Sequence, residues 1–154
     1  SLPASLVTNM LPQKVGVLAP FVGSRKGGDT SEYRFGPLDE WRYRQLYTQH
    51  RFASTQKKGG WDALRHAEIL AAGAIPLFEN LRNAPPFTIP FLPVVKLLKA
   101  EAELWPYTPE LERQYNETVQ ALQKHTWQCL TSESMAAHVL QTLGVWPAYR
   151  PLKI

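Results

Sequence analysis

Cysteine is almost missing from this chain: Cys129 is the one cysteine in 154 residues. That excludes an intramolecular disulfide and a cysteine-built metal site, and it gives no sign of an oxidising compartment. No apolar run approaches the roughly 18 residues of a membrane span, and the opening residues lack the charged-then-apolar order of a secretory signal. A cytoplasmic protein is the default expectation, and the start at Ser1 leaves open a fragment of something longer. The dinucleotide fingerprint G-x-G-x-x-G and the P-loop pattern are both absent, so neither a nicotinamide dehydrogenase nor a P-loop ATPase is indicated. No serine stands in a nucleophile elbow, and Cys129 falls inside a helical pattern with no sign of activation. His50, His125 and His138 are scattered, none with a carboxylate or second histidine at ligand spacing, so no metal and no cofactor is expected.

Charge of one sign is also in short supply. The excess of 17 Lys and Arg over 13 Asp and Glu gives only +4. So mild a balance suits an anionic small molecule; nucleic acid as a partner would call for a basic stripe set with aromatics on one face. At 44% hydrophobic and 19% charged the composition is that of a globular chain. The length suffices for one core and is too short for two Rossmann-like halves.

What is present alternates. Residues 1–14, with Pro3 and Pro12, read as an irregular leader. Val15 to Ala19 is an apolar run ended by Pro20, which suits a buried strand. A loop follows, centred on Arg25-Lys26-Gly27-Gly28. A lysine-glycine loop after a strand suits a phosphate contact, but surface loops carry such residues for solubility alone, so Arg25 and Lys26 are secondary candidates. Leu38, Trp41, Leu46 and Tyr47 fall near helical spacing, with Asp39 and Glu40 in the first turn. Arg42, Tyr43, Arg44 and Tyr47 along that helix suggest stacking on bases, but an aromatic flank packed on a sheet explains them more simply. Arg51 to Thr55 is then a short strand. Glu79 to Pro93 is proline-rich and irregular, Pro93 opens a helix to about Leu104, and residues 109–144 form C-terminal helices with a second cap at Thr131 or Ser132 and a stop at Gly144.

The richest stretch is Lys57 to Phe78. Lys57-Lys58-Gly59-Gly60 joins two cations to two residues that allow positive φ and close approach, which suits an anion. Trp61 and Asp62 open a helix, with Asp62 able to cap its amides, and Gly73 stops it. Ala74 to Phe78 is of strand length, and Pro76 confines it to an edge, a bulge or a strand end. The alternation predicts one α/β domain over 1–154, a Rossmann-like parallel sheet with flanking helices, whose ligands lie outside the carboxyl ends of the strands. Within two turns the helix holds Asp62, Arg65, His66 and Glu68. Their spacing fits two readings equally: a chain of surface ion pairs, or cations and a helix N-terminus at a phosphate with Glu68 accepting from a sugar hydroxyl.

Gly60-Trp61-Asp62, Arg65-His66, Glu68-Ile69, Ala71, Gly73, Ile75-Pro76 and Phe78 together resemble the signature of the exostosin-like and related glycosyltransferases of the GT-B fold, in their nucleotide-sugar-binding half. The resemblance covers about 30 residues closely and fades beyond Asn83. It implies a UDP- or GDP-sugar donor as substrate, Lys57, Lys58 and the Gly59-Gly60 amides at the pyrophosphate, Arg65 or His66 as a further donor to it, and Glu68 on the ribose. Family members usually carry an aromatic where Ala67 stands, and a separate acceptor domain for which this chain has no room. The expected function is thus sugar transfer from a nucleotide sugar to an unknown glycan or other acceptor, with the acceptor domain supplied elsewhere or by a second chain and no catalytic base assignable. The alternatives are a non-catalytic interaction domain that keeps the half-fold, or a fragment of a two-domain enzyme.

Overall fold

Each apolar run ends where a proline, a glycine or a charged loop interrupts it, and three of them pair. In the computed structural model, which describes residues 2–8, 11–22, 35–36, 38–57, 59–85 and 87–145, the strands are β1 (Gly16–Ala19), β2 (His50–Thr55) and β3 (Ile75–Phe78). They form one parallel sheet in the order β1-β2-β3, with Leu18 opposite Phe52 and Phe52 opposite Ile75. Pro76 lies on the edge strand β3, where its missing amide is tolerated. The helices are α1 (Glu40–Gln49), α2 (Leu64–Ala71), α3 (Val94–Leu104), α4 (Glu112–Cys129) and α5 (Ser132–Thr142). The described residues are therefore α/β, a three-stranded parallel sheet with five α-helices. None of these helices is long and apolar enough to cross a membrane.

Successive residues of β2 point to opposite faces of the sheet and so build two cores. Phe52 joins Ile75, Phe78, Leu97, Leu104, Tyr115, Val119 and Leu122 under α3 and α4. Ala53 joins Ala19, Tyr47, Ile69 and Ala72 under α1. Helix α2 contributes to both, which fixes its rotation and decides which of its polar residues face outward.

At the amino edge of the sheet the polar groups are paired. Arg51 donates to both carboxylate oxygens of Glu112, at 2.8 and 3.0 Å, beneath the Tyr107 and Tyr115 rings. The Tyr115 hydroxyl reaches the carbonyls of Arg51 and Gly73, at 3.1 and 3.0 Å. Lys14 donates to the Thr48 and Ala72 carbonyls, at 3.0 and 3.4 Å, at the ends of α1 and α2. Burial, then the neighbouring Arg51, lowers its pKa to about 7, against an opposing pull from Glu112.

Helix α2 ends as the sequence predicts and begins later. Its first residue is Leu64, its N-cap is Ala63, and no side chain caps it, so Asp62 does not play the capping role expected of it. At the other end Gly73 has φ +70°, its amide donates to the Leu70 carbonyl and the Ala74 amide to the Ile69 carbonyl, a Schellman closure. A Cβ on Gly73 would meet Gln123 Nε2 at 3.1 Å and Pro12 Cδ at 3.4 Å. Gly73→Ala is expected to destabilise the protein by about 1–2 kcal/mol, read from the urea midpoint at unchanged slope.

The opening residues, expected to be an irregular leader, hold a 3-10 turn at Ala4–Leu6 and are docked by their backbone. The Leu2 amide donates to the Leu130 carbonyl and the Ser132 amide to the Leu2 carbonyl, across the turn between α4 and α5. Glu133 accepts from the Ala4 amide, and the Thr8 amide and hydroxyl both donate to the Ala71 carbonyl.

Candidate functional site

Because the strands are parallel, Phe21 after β1, Lys57 after β2 and Glu79 after β3 all emerge at one edge of the sheet. The N-terminal turn of α2 starts at the same edge. What lies there depends on how the Arg65-His66 pair divides.

His66 turns inward. It is 3% exposed, its Nε2 lies 3.0 Å from the Trp61 carbonyl and its Nδ1 3.2 Å from the Thr55 hydroxyl, and its ring packs 4.6 Å from Phe78. A carbonyl only accepts, so Nε2 carries the proton and Nδ1 accepts from Thr55. Burial, partly offset by the Trp61 bond, lowers its pKa to about 4. His66 is therefore a neutral core residue that ties the end of β2 to the loop, with both nitrogens already engaged.

Arg65 is half-buried. Its guanidinium lies 5.1 Å from the centre of the Phe21 ring, which brings α2 to the end of β1. Among the described residues it forms no ion pair, and neither do Asp62 and Glu68, so the chain of helix-surface ion pairs that the spacing also allowed does not form there. Its Nε is buried without a hydrogen-bond partner. A buried polar group left so costs about 1–3 kcal/mol.

Glu68 lies one turn further along, half-buried, and accepts a 2.7 Å hydrogen bond from the Tyr43 hydroxyl on α1. Asp62 is exposed. Lys57 is exposed, its ammonium 5.9 Å from the centre of the Trp61 ring. Gly59 and Gly60 are exposed, and neither uses the positive φ open to a glycine; among the described residues nothing lies within 4 Å of a Cβ added at Gly59, and at Gly60 only the Asp62 amide does, at 4.0 Å. Lys58, Arg25 and Lys26 lie outside the described residues. Among the described residues no cluster of three His, Cys, Asp or Glu could hold a metal ion.

One edge thus gathers Lys57, Gly59, Gly60, Arg65 and Glu68, and the pairing seen at the amino edge, where Arg51 has Glu112, is not repeated for Arg65. Chemically it offers cationic donors and open backbone beside one carboxylate. Sequence reasoning gave no site role to Phe21 or Thr55, and took Tyr43 for part of an aromatic flank and not for the partner of Glu68. The last had a visible signal, since Tyr43 and Tyr47 share a helix face at a spacing of four, but nothing in the sequence pairs it with Glu68. No protein-family model, curated protein or solved structure matches the chain.

Proposed function

We propose that this chain is a nucleotide-sugar-binding domain, the donor half of a glycosyltransferase of the exostosin-like GT-B kind. The observation that carries the reading is Arg65: a cation without a carboxylate partner among the described residues, its Nε buried and unbonded, at the edge of a parallel sheet where anions bind. In this reading Arg65, Lys57, Lys58 and the Gly59-Gly60 amides hold the pyrophosphate, and Glu68 holds the ribose. His66 fixes the loop and leaves the phosphate to Arg65. Charge building on the departing diphosphate is stabilised by these groups, so the chemistry the domain contributes is electrostatic. A general base and the acceptor come from outside the chain.

Calorimetric titration with UDP, GDP and their sugars, with and without magnesium, tests this. Saturable binding of one nucleotide is expected, weakened about 30-fold in Glu68→Ala, a loss of about 2 kcal/mol. Gly60→Ala is the sharper variant: among the described residues nothing comes nearer than 4.0 Å to the added methyl, so stability should hold while a ligand that approaches the backbone is displaced. Absence of binding to every nucleotide by the folded chain sinks the reading.

A second reading, an interaction domain that keeps the half-fold, is favoured by β1. It is an edge strand, yet Val17 and Leu18, on opposite faces, are 39% and 40% exposed. Parallel strands are ordinarily covered on both faces.

A further inference from the structure

Tyr43 and Glu68 come from neighbouring helices, 25 residues apart in the chain, and meet through the tyrosine hydroxyl, which donates to Glu68 Oε2 at 2.7 Å. The ring that carries this hydroxyl is held on two sides. Phe35 packs against it edge to face, centroids 5.8 Å apart, and so does Tyr47, at 4.9 Å. Tyr47 is 1% exposed, so the stack of three rings is rooted in the core beneath α1. A glutamate on a half-buried helix face would otherwise keep several rotamers, and binding a ligand would have to freeze them. Here the freezing is done beforehand.

The hydroxyl stays a donor. Burial, and next the hydrogen bond to Glu68, push the Tyr43 pKa well above the ordinary phenol range. Each carboxylate oxygen has two lone pairs, so Oε2 keeps one and Oε1, which bonds to no described residue, keeps both. The surroundings have polar capacity to spare: the Tyr47 hydroxyl is buried and bonded to nothing among the described residues, although it lies near enough to Tyr43 to raise its pKa. Arg65 Nε is in the same condition one turn above Glu68.

Building on the donor-site reading, we propose that Tyr43 is the positioning residue of that site, fixing one oxygen of Glu68 so that the carboxylate meets a vicinal diol and the site selects ribonucleotides over 2′-deoxyribonucleotides. A site built to accept from a hydroxyl rejects the analogue that lacks it, because the waiting acceptor is left unpaired. The selectivity depends on the acceptor being held in place, which is what Tyr43 supplies.

The test is titration of the chain with UDP, GDP and their 2′-deoxy counterparts, on wild type, Tyr43→Phe and Glu68→Ala, with a melting curve for each. Phenylalanine keeps the ring stack and removes only the hydroxyl. Wild type is expected to prefer the ribonucleotide by about tenfold or more. Tyr43→Phe should fold and still bind, with that preference reduced to about threefold or less, and Glu68→Ala should show none. A Tyr43→Phe protein that binds ribo and deoxy forms with the wild-type ratio, whatever its melting temperature, overturns the positioning role. Wild type that binds a nucleotide without preferring ribose overturns it as well and leaves the donor site standing. Wild type that binds none of the four overturns both.

Discussion

Replacing His66 with alanine is expected to lower stability by about 3–4 kcal/mol, the largest loss we anticipate from one substitution at the carboxyl edge. Three terms add. The Trp61 carbonyl loses its donor, the buried Thr55 hydroxyl loses its acceptor, and the ring leaves a cavity against Phe78. The wild-type protein should also be acid-labile over a defined window. The folded pKa of His66, about 4, lies below its ordinary value of 6.5, so between these values the unfolded chain binds a proton that the folded one refuses. Stability from this group is complete above about pH 6.5 and falls as pH drops toward 4, by up to about 3 kcal/mol. Urea denaturation of both proteins at several pH values from 7.5 to 4 checks the two claims together. His66→Ala should start lower and lack this part of the acid slope; parallel curves would show that His66 is not the neutral tie described above.

Arg65→Ala is expected to do the reverse, leaving the fold and removing the ligand. Charge-assisted hydrogen bonds from a guanidinium to a diphosphate contribute about 2–3 kcal/mol, or roughly 30- to 150-fold in affinity. Stability should change by less than about 1 kcal/mol, since truncation removes a buried, unbonded Nε and, among the described residues, gives up the cation–π contact with Phe21. Arg65→Lys should rescue little, because an ammonium lacks the planar fork that meets two phosphate oxygens at once. Titration and melting curves of the three proteins decide it. Wild-type affinity in Arg65→Ala would place the phosphate elsewhere on the edge or nowhere.

The strands and most helix ends were legible in the sequence because each is marked locally. Val15 to Ala19 is apolar to its proline and yields β1, although not the buried strand expected, since Val15, Val17 and Leu18 are exposed; Gly73 and Gly144 close their helices with φ +70°, and Thr131 caps α5 by accepting from the Ser134 amide. The division of labour between Arg65 and His66 was not legible. Two adjacent residues on a helix lie about 100° apart, so both could not point straight into the core, but which of them turns inward depends on how α2 is rotated between two cores whose members come from α1, α3 and α4. The Tyr43–Glu68 bond was hidden for a similar reason, its partners lying on different helices. The docking of the opening residues was hidden for another, since Leu2 is held through its backbone amide and carbonyl, and every residue type has those.

That docking sets an order of assembly. The carboxylate that receives the Ala4 amide is 129 residues further along the chain, and the carbonyl that receives Thr8 is 63 further. The β1–β2 and β2–β3 pairs, Gly16 with His50 and Phe52 with Ile75, close far shorter stretches of chain than the Ala4–Glu133 contact, which spans most of the polypeptide. At a synthesis rate of roughly 5–20 residues per second, on the order of ten seconds separate Ala4 from the Glu133 that receives it. The seat that α5 offers Ala4 therefore forms after the residues of all three strands are available to pair.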